Sequence, residues 1–217
     1  TPADTSNPRR TAIQDTMVCA VLAALAASGI APYDRLTWVL EIFWVAGGLV
    51  LYPWFRRRRQ ATTLLLSLLC VHALLLIWGG YCTYARVPLG EWMRDWFGFT
   101  RNNYDRVGHF AQGFVPAILA REVLTRAGAV RGRGWLWLFV VSICVAFSAC
   151  FELIEWTAAL AFGDGSTDYL ATQGDPWDAQ KDMLMALIGS NVALLLLSRA
   201  HDRALRSLRL AESARTA

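Results

Sequence analysis

Residues Ala61–Tyr84 read ATTLLLSLLCVHALLLIWGGYCTY, a run with no Asp, Glu, Lys or Arg. About 20 consecutive apolar residues carry a helix across a bilayer's hydrocarbon core, so this stretch sets the class. Lipid offers the backbone no hydrogen-bond partners, so a helix is the expected form, and no alternating strand pattern supports a barrel. Working outward, five further candidates appear, giving expected spans at about 12–30, 36–55, 61–84, 104–121, 135–162 and 183–197. The composition agrees: of 217 residues 55% are apolar and only 18% charged, and mean hydropathy is +0.34. A soluble domain carries roughly a quarter charged residues. The chain therefore reads as all-α, a polytopic membrane helix bundle in one integral membrane domain, residues 1–217.

Twenty of the 21 basic residues are Arg, the exception being Lys181. They lie between the apolar runs, so they signal topology rather than nucleic-acid binding. With the N-terminus in the cytoplasm, inner segments hold 15 of them, including the block Arg56–Arg59, and outer segments hold 6. Both termini are expected inside. Arg9–Arg10 ahead of an apolar run and Ala26-Ala27-Ser28-Gly29-Ile30-Ala31 resembles a secretory signal; an even set of six spans favours an uncleaved anchor. The five cysteines form no CxxC and read as small buried hydrophobes. Residues 86–103, with Trp92, Trp96, Phe97 and Phe99 among charges, read as an amphipathic piece in the outer interface.

Charges inside spans are functional candidates, because lipid penalises them. Asp105, His109 and Gln112 follow i, i+4, i+7 spacing and share one helical face. Ser148, Glu152 and Glu155 repeat that spacing on the next helix, and two carboxylates one turn apart repel unless a proton or a cation separates them. In the acidic outer loop 163–182, Asp164, Asp168, Asp175 and Asp178 would concentrate cations. Asp175-Pro176 reads as an N-cap and first helical residue, Asp178 as a first-turn carboxylate, and Asp182, one turn deeper, lacks that explanation. Asp105 could cap its helix together with Asn103. Glu41 is a secondary candidate, with Gln112 and Asp178; His72 reads as a lone histidine bonding a neighbouring helix, and Asp15 as interfacial. Oxygen ligands with one imidazole suit Mg²⁺, Mn²⁺, Ca²⁺ or Zn²⁺.

Tyr104-Asp105-Arg106-Val107-Gly108-His109-Phe110, Phe151-Glu152-Leu153-Ile154-Glu155-Trp156 and Thr172–Met183 closely resemble the YjdF-type bacterial inner-membrane proteins, an uncharacterised family. That resemblance implies a location and no reaction. A fainter similarity to VanZ-like membrane proteins, associated with glycopeptide resistance, rests on Asp105-Arg106…His109-Phe110, Glu152…Glu155 and Asp182…Gly189. Glu155 and Ala186 stand where that pattern has Gln and Asn.

Three functions stay open. In the first, an outward-facing site holds a divalent metal on Asp105, His109, Glu152, Glu155 and Asp182, with His109 or Glu155 as general base, and binds or acts on an envelope lipid or lipid-linked headgroup. In the second, Glu41, His72 and the Glu152/Glu155 pair relay ions or protons for a small-molecule transporter; beyond His72 the inner half of the bundle is expected to hold almost no polar groups. In the third, the cluster locks helices in a non-catalytic scaffold.

Overall fold

A computed structural model of the protein describes residues 8–58, 61–162 and 173–216, which hold seven α-helices and no strand. They are α1 (Pro8–Ser28), α2 (Arg35–Arg58), α3 (Thr63–Cys82), α4 (Pro88–Phe97), α5 (Tyr104–Ala127), α6 (Arg133–Phe162) and α7 (Asp178–Thr216), with a 3-10 turn at Tyr84–Arg86. Asp164 and Asp168 lie outside the described residues.

Five helices, α1, α2, α3, α6 and α7, are long and apolar enough to cross a membrane. Their outer faces expose Phe43, Val50, Leu138, Leu153 and Leu195, as surfaces that meet lipid rather than water do. α5 differs. Its 24 residues include Asp105, Arg106, His109, Gln112, Arg121 and Glu122, so it lacks the apolar character of its neighbours. It is also the helix the others surround, packing on α3, α6 and α7. Its polar face is covered by protein.

The helices sort into two groups. α2 and α1 pack on α3, with Val21, Val45 and Ile77 buried between them. α5, α6 and α7 pack together, and α3 joins the groups through Leu65, set against Ala117, Ile118, Val140 and Ala193. Small residues let α5 and α7 meet backbone to backbone. A side chain at Gly113 would overlap the Ala186 carbonyl, and one at Gly189 would overlap the carbonyl of Phe110.

The helices extend some of these expectations and correct others. α5 continues past Arg121 to Ala127 and stops where Gly128 takes φ +62°, the left-handed conformation that ends helices. α7 continues past Leu197 to Thr216. Its 39 residues span about 58 Å at 1.5 Å per residue, well beyond the roughly 30 Å hydrocarbon core. Pro176 is not the first helical residue: Asp175 Oδ1 accepts the Trp177 N–H at 3.0 Å in a turn, and the helix starts at Asp178. Nor does Asn103 cap α5 through its side chain; the Tyr104 N–H donates instead to Asn102 Oδ1 at 3.0 Å. Among the cysteines only Cys144 is buried, while Cys19 and Cys150 are exposed.

Candidate functional site

Helical spacing places Asp105, His109 and Gln112 on the buried face of α5. α6 brings Glu152 and Glu155 to that face, and α7 brings Asp182. His109 is the hub. Its Nε2 lies 3.5 Å from Asp105 Oδ1, 3.6 Å from Glu152 Oε1 and 3.9 Å from Asp182 Oδ1. Its ring meets Phe151 edge to face at 5.7 Å. Nδ1 has no hydrogen-bond partner among the described residues, so the imidazole is held by carboxylates on one edge only.

The cluster has two tiers. In the upper one, Asp178 Oδ1 receives Arg101 at 2.6 Å and Arg106 at 2.5 Å, Arg106 also contacts Asp182 and reaches Asp175 at 3.3 Å, and both arginines stand 3.8 Å from Asp105. These arginines tie the start of α5 to the start of α7. Lys181 Nζ, 2.6 Å from Asp175, together with the Trp177 N–H, holds the Asp175 carboxyl below its usual range. Arg101 carried only a topology meaning in the sequence. The loop before α5 is fixed as well: Asn102 N–H donates to Gln173 Oε1 at 3.1 Å, and Gln173 Nε2 donates to the Asn102 carbonyl at 2.8 Å.

In the lower tier, Glu152 and Glu155 have no ion pair with Arg or Lys among the described residues, and Arg106 goes to the α7 aspartates instead. One ligand atom each of His109, Glu152 and Glu155 fall within 4.8 Å of one another, as do those of Asp105, His109 and Asp182. These are oxygen and imidazole donors at separations a cation can bridge.

The lower tier opens onto a cavity of about 340 Å³ between the two helix groups. Glu41 enters it from α2, its carboxyl hydrogen-bonded to the Tyr84 hydroxyl, and Gln112 and His72 also line it. His72 is therefore not simply bonded to a neighbouring helix: its Nε2 has no hydrogen-bond partner among the described residues and it shares the cavity with His109. Asp15 pairs with Arg56 at 2.5 Å, away from the cluster.

A second buried polar cluster, at the other end of α5 and α7, was not read from the sequence. Arg121 Nη1 donates to His201 Nδ1 at 2.8 Å and Nη2 to Asp202 Oδ1 at 2.6 Å. Arginine only donates, so Nδ1 accepts and His201 Nε2 donates to Glu122 Oε2 at 3.0 Å. Glu122 also accepts the Thr62 N–H at 3.1 Å and the Thr62 hydroxyl at 2.7 Å. This end of the bundle therefore holds a buried polar network of its own. The signal was present as His201, Leu205 and Leu208, an i, i+4, i+7 face that is buried throughout.

No solved structure matches the chain. It is 45% identical over 194 residues to the inner membrane protein YjdF of Escherichia coli (strain K12), a match covering 89% of this chain and 93% of YjdF. Residues 13–203 match the family described as "Predicted membrane protein (DUF2238)". With its apolar helices and the polar helix packed among them, the chain belongs to this family of multi-pass inner-membrane proteins.

Proposed function

We propose that α5 is a sixth crossing, that both termini lie in the cytoplasm, and that the His109 end of the bundle faces outward. There the site binds a divalent cation and binds or acts on an envelope lipid or lipid-linked headgroup. The arginine distribution, 15 on the proposed inner side against 6 on the outer, supports the orientation. The observation carrying the site is the convergence of His109, Glu152 and Glu155 within 4.8 Å. Two carboxylates beside one imidazole, with no arginine on either among the described residues, call for a cation. Asp105 and Asp182, which group with His109 in the same way, are the further ligands. The cation would polarise a bound water, and Glu155, or His109 where it is not itself a ligand, would take that water's proton.

Elemental mass spectrometry on detergent-purified protein tests this. Near-stoichiometric Mg, Mn, Ca or Zn is expected in the wild type and is expected to be lost in Glu152→Gln and His109→Ala. A well-folded wild type that holds no metal after readdition ends the reading.

A proton- or ion-coupled carrier is the second reading. The cavity that joins Glu41 and His109 to His72 and Tyr52, together with the ionisable cluster at the opposite end, favours it. Substrate flux in liposomes that disappears in Glu152→Gln, without metal in the protein, would put it first.

A further inference from the structure

The cavity beside His109 carries its carboxylates at one end and is mostly apolar along the rest, with His72 and Tyr52 as the polar exceptions. Glu41, Asp105, His109 and Glu155 stand at one end; Leu49, Leu66, Leu69, Pro116, Leu119 and Phe147 line the remainder. On α2 the lining runs from Glu41 to Tyr52, about 16 Å at 1.5 Å per residue. That is close to half of the roughly 30 Å hydrocarbon core, the depth of one leaflet. The volume, about 340 Å³, holds on the order of ten methylene-sized groups at about 30 Å³ each.

Two buried side chains at the polar end lack partners among the described residues: His109 at Nδ1 and Gln112 at Oε1, only 4% and 7% exposed. Both line the cavity. A donor or acceptor left unmet in a buried site is costly, so a ligand head that meets them is held more tightly. The charge of the head follows from the wall. Three carboxylates line the cavity, and no Arg or Lys does among the described residues. The chain's route in is α2. Gly48 lines the cavity and is exposed, and a side chain there would meet nothing within 4 Å. Nearby, Trp44 bridges to α6 by an edge contact with Phe147 at 5.6 Å.

We infer that this cavity takes one hydrocarbon chain of an amphiphile whose head is a protonated amine, the chain passing Gly48 and the amine lying beside Glu41 and Gln112. The inference rests on the lipid-site reading above and names its ligand class. A metal on His109, Glu152 and Glu155 leaves Glu41 free for the amine.

The test offers dodecylamine, lysophosphatidylethanolamine or dodecyl phosphate to the full-length chain, with native mass spectrometry of the protein released from detergent. One amine-headed molecule per chain is expected, with no dodecyl phosphate held in the absence of added metal. Retention of lysophosphatidylethanolamine assigns the amine to a phospholipid head, and retention of dodecylamine alone assigns it to a simple amine; either upholds the inference. Gly48→Leu should weaken retention about tenfold or more, the loss that two unburied methylenes bring. Gly48→Ala should fall between. Gly47→Leu, on the same helix but off the cavity, should match the wild type and so controls for folding. Equal retention in Gly48→Leu and Gly47→Leu, or equal retention of the phosphate and the amines without metal, overturns the inference. Metal content read on the same samples separates the two claims: metal without amphiphile sinks the inference alone, and neither one sinks both.

Discussion

The two ends of α5 hold the same kinds of residue in opposite states. Around His201, each hydrogen-bonding ring nitrogen and each Glu122 oxygen has a partner at 2.7–3.1 Å, and His201 is fully buried. Around His109 the nearest carboxylate is 3.5 Å away, one ring nitrogen has no partner among the described residues, and a cavity lies alongside. A buried polar network that satisfies itself rigidifies a fold, whereas one left open is costly and needs a reason to persist. The first end is a fastener between α3, α5 and α7. The second is the place to look for a ligand.

The contrast can be broken at its scaffold, at one end, or at its edge. The largest effect is expected from Gly189→Val, which would push a side chain into the α5 backbone at Phe110. Ordinary overpacking costs about 1–3 kcal/mol, and here neither backbone can yield without parting both clusters. Loss of monodisperse protein on size exclusion is the expected result, and normal yield would remove the close α5–α7 approach from the account. Next comes a paired comparison. Glu122→Ala strands Thr62 and His201, and breaking a buried ionic network of this kind costs about 3–5 kcal/mol, on the order of ten degrees in Tm for a chain of this size. Glu152→Gln should leave Tm within a few degrees and remove bound metal. Equal melting losses in both would erase the difference between the two ends. The smallest effect belongs to Asp175. Its carboxyl is held low by Lys181, so its contribution is full above the ordinary Asp value near 3.9 and disappears as pH falls through its lower folded value. The Tm gap between wild type and Asp175→Asn should therefore shrink as pH falls from about 5 to about 2; a gap that widens over this range would refute the Lys181 pairing.

Sequence spacing carried the His109 end well, because Asp105, His109 and Gln112, and then Glu152 and Glu155, repeat at helical intervals and could only share a face. It did not carry the arginines. Arg101 and Arg106 counted as outer-side charges, and nothing local says that they reach residues 72 to 77 positions away. The His201 end was lost for a related reason. Arg121, Glu122 and Arg199 look like charges closing a span, so α5 and α7 were ended short of the residues that join them. Six spans were expected from apolar length, and five helices keep that signature. α5 does not, since the polarity that marks its role also interrupts its apolar run.

That polarity also sets an order of assembly. Asp105 and Arg106 near one end of α5, Arg121 and Glu122 near the other, and His109 and Gln112 between them leave it without the apolar window of its neighbours, so α5 alone has little tendency to enter lipid when it leaves the ribosome. Asp178, Asp182, His201 and Asp202, which pair with its charged side chains, all lie on α7. Synthesis thus makes a helix that stays unsettled until the chain has produced two more. A nascent chain arrested before Asp178 is short by two helices in effect: α7, which is missing, and α5, which has no place to go.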